Sequence, residues 1–305
     1  MLQIFTDVVL PVFIVAGVGF LAQRLLNMQV LSLSQAVIYL FSPALVFTGL
    51  TNSSLSGEHV VKIVLYSLLF SLVTLVLSWP ISKLLRLTRQ DQSGFFLSTM
   101  FPNAGNYGLS VILLAFGQAG LDSGIIFFVC QAVLGGTLAV FLASRGQASS
   151  IASLGQVLRM PQMYAALFAI AVNLSGISIP AAIEKPASIL GQAAIPAMLI
   201  VLGMQLAQVK GIELPVAMGT AVIMRLALSA VVAFGITSFL GMEDLTRKSL
   251  IIQSSMPTAV FVIIIATQFN ANPRFVTGVV VVSTLISIFT VTLILALLTS
   301  SVPVL

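Results

Sequence analysis

The sequence predicts an all-α integral membrane protein: ten transmembrane helices in two inverted five-helix repeats, with the fourth and ninth helices broken and crossing. Three observations predict it. Hydrophobic residues make up 59% of the 305-residue chain and charged residues only 7%, giving a mean hydropathy of +1.15, well outside the soluble range. Apolar runs long enough to cross a hydrocarbon core of roughly 30 Å, which takes about 20 residues, follow one another with short connections. Short words in the first half return in the second at a nearly constant spacing.

Gly, Pro and charge punctuation divides the runs into spans at 8–26, 35–50, 60–84, 94–116, 124–143, 164–179, 187–206, 216–240, 249–269 and 275–298. The first run is too long for a signal-peptide core and lacks a basic leader, so it reads as a retained span. Prolines lie inside the second, fourth, seventh and ninth spans at Pro43, Pro102, Pro196 and Pro257; Pro43 and Pro196 are expected to kink their spans. A polar, small-residue stretch at 144–156 separates the halves. The domain reading is a first repeat at 1–143, a cytoplasmic linker with the entry to helix six at 144–163, and a second repeat at 164–305.

A net charge of +5 raises nucleic acid as a partner, but the basic residues are dispersed through short loops rather than gathered on a face. They act as topology signals. One set of alternate loops holds Arg24, Lys83, Arg86, Arg89, Arg145, Arg159, Lys210 and Arg274, and the other only Lys62, Lys185, Arg247 and Lys248. Positive charge concentrates on the cytoplasmic side, which places both termini outside in a plasma membrane, the bacterial inner membrane. Cys130 is the only cysteine and lies in an apolar run, so neither a disulfide nor a cysteine metal cluster is available.

The repeat sets the architecture. The stretch from Gln35 to Pro43 and Ala44 resembles Gln192 to Pro196 and Ala197; Ser98-Thr99-Met100-Phe101-Pro102 resembles Ser254-Ser255-Met256-Pro257; and the run after Gly124 resembles that after Gly278. Their offsets are 153, 155 and 154 residues. Five spans per repeat is an odd number, so the second half enters the membrane from the opposite side.

Pro102 cannot donate a backbone hydrogen bond and Gly105 and Gly108 do not favour a helix, so the fourth span is expected to break there. The rival is a proline kink packed by neighbouring helices. Freed backbone groups survive in a membrane only where protein or water satisfies them, which predicts a cavity lined by Asn103 and Asn106. Pro257, flanked by Ser255 and Thr258, breaks the ninth span at the equivalent place. The half-helices that start after each break would turn free amides and about half a positive charge each toward the crossing, which favours an anion.

Arg225, a cation inside an apolar run, either adds to that field, snorkels to an interface, or bonds broken-helix carbonyls. Gln131, Gln253 and Ser255 each need a ligand, water or a partner helix. Phe101 and Tyr107 are candidates for the pocket wall. The substrate-binding candidates are therefore Pro102, Asn103, Gly105, Asn106, Gln131, Arg225, Gln253, Ser255, Pro257 and Thr258. No catalytic or metal residue is expected: the chain has one histidine, His59, and no acid inside a predicted span. No cofactor is expected either. The lack of a span-interior acid argues against a proton relay, leaving sodium held by broken-helix carbonyls, another H+ route, or uncoupled transport.

At these residues the chain resembles the auxin efflux carrier family over nearly its whole length. Pro102-Asn103 with Gly108 is similar to the family's Leu-Pro-Asn-Thr motif, and Phe128-Val129-Cys130-Gln131 to its fifth-span Val-Leu-Gln segment. Gln253 through Pro257 to Phe269-Asn270-Ala271-Asn272-Pro273 resembles its ninth span, Arg159-Met160-Pro161 its sixth-span start, and Leu202-Gly203-Met204 its seventh-span Leu-Gly motif. The resemblance implies a carrier with scaffold helices 1, 2, 6 and 7 and transport helices 3–5 and 8–10. It also implies elevator-type alternating access, with Asn103 and Gln131 at positions that contact substrate.

The chain departs from plant members by having Ala104-Gly105-Asn106 after the Pro-Asn pair and only a short central linker. The expected substrate is a small organic anion, a carboxylate such as malate or malonate or an auxin-like acid. The rival reading is an anion channel or a transporter-like sensor without turnover. The expected partners are that anion, the lipid bilayer and a second copy meeting through the scaffold helices, with no nucleic acid.

Overall fold

Helices account for almost all of the residues described in the computed structural model, which are 1–53, 55–144, 160–208 and 215–299. Seven are long and apolar enough to cross a membrane: α1 (Leu2–Leu26), α2 (Val30–Thr51), α3 (Gly57–Leu84), α5 (Ala104–Ala143), α7 (Ala181–Ala207), α8 (Val216–Phe239) and α11 (Pro273–Thr299). The shorter helices are α4 (Arg89–Met100), α6 (Pro161–Ser175), α9 (Asp244–Ser254) and α10 (Phe261–Gln268). Large apolar side chains such as Leu25, Phe168 and Phe289 point outward, exposed, as a chain bathed in lipid rather than water requires. The linker at 145–159, with Arg145 and Arg159, and Lys210 lie outside the described residues.

The 40-residue α5 is two arms rather than one rod. Gly117 takes φ +64° and ψ −160°, a backbone state that residues with a Cβ resist, and the chain reverses there. The second arm folds back so that Gly120 faces Ile112 and Gly124 faces Leu109. The expected connection at 117–123 is thus a turn of one residue, and Asp122 falls inside the second arm. Its carboxylate is buried, and Oδ1 accepts from Gln118 Nε2 at 3.1 Å. Asp122, expected in a loop between two spans, is thereby placed within a helix.

Other boundaries also move. The sixth helix starts at Pro161, well placed at a helix N-terminus, and ends by Ser175. Pro196 lies within the continuous α7, and Pro43 follows a wide π-helical turn at Val37–Phe41 that lets α2 continue.

Small residues bring α1 and α7 into backbone contact. A Cβ on Gly203 would overlap the Ala16 carbonyl oxygen, and one on Gly19 would overlap that of Ile200. Asn173 Nδ2 ties α6 to the end of α2, donating to the carbonyls of Leu50, Thr51 and Ser53 at 3.3, 3.0 and 3.0 Å. On the other side of the molecule, Tyr66 of α3 meets Ser254 Oγ of α9 at 2.6 Å, and Ser78 meets Thr99 of α4 at 2.9 Å.

The two interruptions lie against each other. Helix α4 stops at Met100, Phe101 is extended, and helix resumes at Ala104 as a wide turn closed by Gly108 N–H donating to Asn103 C=O at 2.9 Å. Helix α9 stops at Ser254 and α10 starts at Phe261. Between them Pro102 and Thr258 form an isolated antiparallel bridge. Asn103 N–H donates to Pro257 C=O at 2.8 Å and Ala259 N–H to Phe101 C=O at 2.9 Å. Each break supplies the partners the other has lost, so neither leaves these peptides bare in an apolar interior, where an unpaired group costs several kcal/mol.

Candidate functional site

Four helix ends converge on the bridge, and they differ in sign. Helices α4 and α9 present their C-terminal carbonyls, a negative dipole end of about half a charge each. Arg225 answers both. It sits in a π-helical turn, Met224–Leu228, has no solvent exposure, donates from Nη1 to Thr99 C=O at 2.8 Å and from Nη2 to Ser254 C=O, and lies 5.6 Å from the Phe70 ring centroid. No carboxylate pairs with it among the described residues. Two half-charges of negative dipole against one guanidinium leave this side close to electrically balanced.

The N-termini of the resumed helices face no charged partner among the described residues. Their first turns, beginning at Ala104 and Phe261, carry a positive dipole end and amides without helical acceptors, although the Ala104 and Ile263 N–H groups donate to Pro102 and Val260 C=O at 2.7 and 3.0 Å. They border a cavity of about 300 Å³, at the small end of the roughly 300–1,000 Å³ range of small-molecule sites. One wall is Pro102, Asn103, Gly105 and Asn106 with Ala259, Val260 and Phe261. The second arm of α5 adds Phe128, Gln131 and Gly135, while α2, α6 and α7 close the far side with Ser34, Gln162, Met198 and Gln205. The lining runs from the bridged peptides to the face of the molecule where α2 and α6 begin and α7 ends.

None of the 24 lining residues is acidic, basic or histidine. The cavity is instead rich in neutral polar atoms with nothing to bond. Asn103 Nδ2, both Nε2 and Oε1 of Gln131, Oε1 of Gln162 and of Gln205, and Ser34 Oγ are buried without a hydrogen-bond partner among the described residues. Asn103, Gln131 and Gln162 are 4, 3 and 8% exposed, so these atoms are left to whatever fills the void. Buried polar groups are nearly always bonded, and a cluster of unbonded ones around a single void marks a place for a polar ligand.

Of the ten residues expected from sequence, the structure brings Pro102, Asn103, Gly105, Asn106 and Gln131 to this cavity. The other five face elsewhere. Gln253 Nε2 donates to the carbonyls of Ala104 and Gly124 at 3.0 and 3.1 Å, bracing the resumed helix. Ser255 Oγ donates to Ile251 C=O, and Thr258 Oγ1 donates to Ser98 C=O at 2.7 Å, while Pro257 gives its carbonyl to Asn103. Arg225 holds the opposite pair of helix ends. Phe101 and Tyr107 do not line the cavity either: Phe101 packs edge-on against Phe261, which does, and Tyr107 packs against Phe13.

Ser34, Gln162 and Gln205 were not among the expected residues. Each lies at or near the end of a span, where polar residues ordinarily meet the interface, and nothing local sets them apart. A second cavity of about 230 Å³ lies where α2 and α6 end and α3 begins, and its one amide, Asn173, already bonds three carbonyls.

Residues 4–295 match the model of a family described as membrane transport protein. An uncharacterized transporter of Methanocaldococcus jannaschii is 26% identical over 94% of this chain and 96% of its own length. One from Methanothermobacter thermautotrophicus is 27% identical over 93% of this chain and 95% of its own. A Rhizobium meliloti protein named "Putative malonate transporter" is 26% identical over 97% of this chain and 96% of its own.

Proposed function

We propose that this chain, which belongs to the membrane transport protein family of the auxin efflux carriers, is a secondary carrier of small carboxylates that binds them in the cavity beside the paired helix breaks. The observation that carries the proposal is the coincidence, at one void, of two half-helix N-termini with no charged side chain beside them among the described residues and the unbonded amides of Asn103 and Gln131. Amide N–H groups at a helix start recognise an anion without a charged side chain, so the carboxylate need not be stripped from a salt bridge when it leaves. The malonate named for the Rhizobium relative is of the right size and charge class.

In this reading the chain is ten spans in two inverted repeats whose fourth and ninth spans cross at the Pro102–Thr258 bridge. The scaffold is α1, α2, α6 and α7, and the remaining helices form the moving body. The cavity is lined from both bodies and runs toward the face to which the loop charges assign the cytoplasm, which in this reading makes the conformation inward-facing. Displacing the moving body along the scaffold would bring the same peptides to the other face. The void at the opposite end, between Leu50, Val60, Ile126 and Ile170, marks where the two bodies would part.

A channel could share the cavity but not its kinetics. Proteoliposomes loaded with unlabelled malonate and diluted into labelled malonate should show a transient overshoot of label, the counterflow that a carrier gives and a pore cannot. Label that only equilibrates, without overshoot, would overturn the carrier reading.

A further inference from the structure

The cavity has two polar poles of different character, and together they specify the charge state of what it binds. The first pole is the pair of half-helix N-termini with Asn103 and Gln131. Two helix ends of about half a positive charge each supply field for about one negative charge. The second pole, across the void on α2, α6 and α7, is Ser34, Gln162 and Gln205, whose unbonded Oγ and Oε1 atoms are neutral.

Titratable and charged groups on the elements that wall the void lie outside its lining. They are Tyr39 on α2, Arg89 and Asp91 on α4, Tyr107, Asp122 and Cys130 on α5, Tyr164 on α6, and Glu184 and Lys185 on α7; α10 carries none. Arg225, the buried cation behind the bridge, is held by the Thr99 and Ser254 carbonyls. A second carboxylate on a ligand would face the neutral Ser34, Gln162 and Gln205 at this pole, Arg145, Arg159 and Lys210 of the adjoining loops lying outside the described residues, and an unpaired buried charge is far costlier than a neutral hydrogen-bonding group.

We infer that Ser34, Gln162 and Gln205 form a subsite for the uncharged second end of the substrate, and that dicarboxylates enter this cavity as their singly protonated monoanions. The protonated carboxyl donates its O–H to a glutamine Oε1 and accepts from Ser34 or an amide N–H, while the ionised carboxylate lies on the helix N-termini. Glutamine amides and a serine hydroxyl serve as donor or acceptor by rotation, which suits a carboxylic acid or a hydroxyl equally. The proton then travels with the substrate, and no titrating side chain is needed in the path. The inference rests on the carboxylate-carrier reading and goes beyond it in naming the protonation state and the residues that select it.

The test is binding of three probes to the purified full chain in detergent, by titration calorimetry at a series of pH values: malonate, its monoamide, and propionate. The monoamide is a monoanion throughout and supplies a neutral far end that both donates and accepts; propionate has no far polar end. Above its second ionisation, malonate should weaken about tenfold per pH unit as the monoanion is depleted. The monoamide should show flat affinity over the same range. Gln162→Ala and Gln205→Ala should each weaken the monoamide severalfold and leave propionate unchanged, a pattern that a merely structural role would not give.

Malonate affinity that is independent of pH, or that rises with pH, would overturn the inference while leaving the carrier reading intact. So would equal weakening of propionate in both variants. If none of the three probes binds at any pH, the carboxylate reading itself fails, and with it this one.

Discussion

Arg225 offers the sharpest structural perturbation because its work can be counted. Replacing it with methionine keeps much of the volume but leaves the carbonyls of Thr99 and Ser254 without their donor in a fully buried place. Each orphaned buried acceptor costs about 1–3 kcal/mol, so the pair costs about 2–6 kcal/mol. Breaking a buried charge pair by removing one partner gives a similar figure, about 3–5 kcal/mol, even though the partner here is two helix dipoles rather than a carboxylate. Losing the buried charge returns part of that, because the guanidinium no longer has to be desolvated.

The net expectation for Arg225→Met is a loss of about 2–4 kcal/mol. Unfolding of the purified protein in detergent, followed by tryptophan fluorescence from Trp79 or by circular dichroism, would measure it. Arg225→Lys should fall between the two, since one ammonium on a flexible stem cannot span both carbonyls as the planar fork does. An Arg225→Met protein as stable as the parent would refute the claim that this cation holds the two helix ends together.

Further predictions follow from the same contacts. Asn103→Ala and Gln131→Ala remove polar atoms that bond nothing among the described residues, so both variants should keep the parent's stability; each should weaken carboxylate binding by about 1–3 kcal/mol, read as a rise in Kd by titration. Gln253→Ala should do the reverse in kind, lowering stability by about 1–3 kcal/mol in an unfolding titration, because the carbonyls of Ala104 and Gly124 lose their shared donor. Pro257→Ala permits helix to continue through the second break. It should slow counterflow strongly in protein that still purifies as a folded monodisperse species, and parent-like flux would argue against a functional break. Gly203→Val forces a side chain into the Ala16 carbonyl and should destabilise the bundle by about 1–3 kcal/mol or prevent its assembly, seen as loss of monodisperse protein on a sizing column.

Much of this was legible in the sequence because it is dictated locally. Apolar runs announce helices in a membrane, and Pro102 and Pro257 forbid the backbone bonds that would keep two of them whole. The word repeats placed those prolines in equivalent positions. What the sequence did not separate was one kind of polar residue from another. Gln131 and Gln253 look alike from either side in the chain, yet the Gln131 side chain bonds nothing among the described residues and faces the void, while Gln253 braces peptides 149 and 129 residues away. That distinction lives in long-range packing. The same holds for Thr258, whose hydroxyl is claimed by Ser98, and for Ser34, Gln162 and Gln205, which converge only when α2, α6 and α7 pack together. The Gly117 turn was missed for another reason: one glycine in an apolar run is ordinarily tolerated within a helix, and its left-handed backbone here follows from the second arm packing back on the first.

A structure determined with saturating malonate tests the central claim most directly. The account predicts ligand density in the cavity between Asn103, Gln131 and Gln205, with one carboxylate within hydrogen-bonding distance of first-turn amides of the helices that begin at Ala104 and Phe261. Malonate bound at another place, with this cavity left empty of it, would contradict the claim that the paired breaks form the carboxylate site.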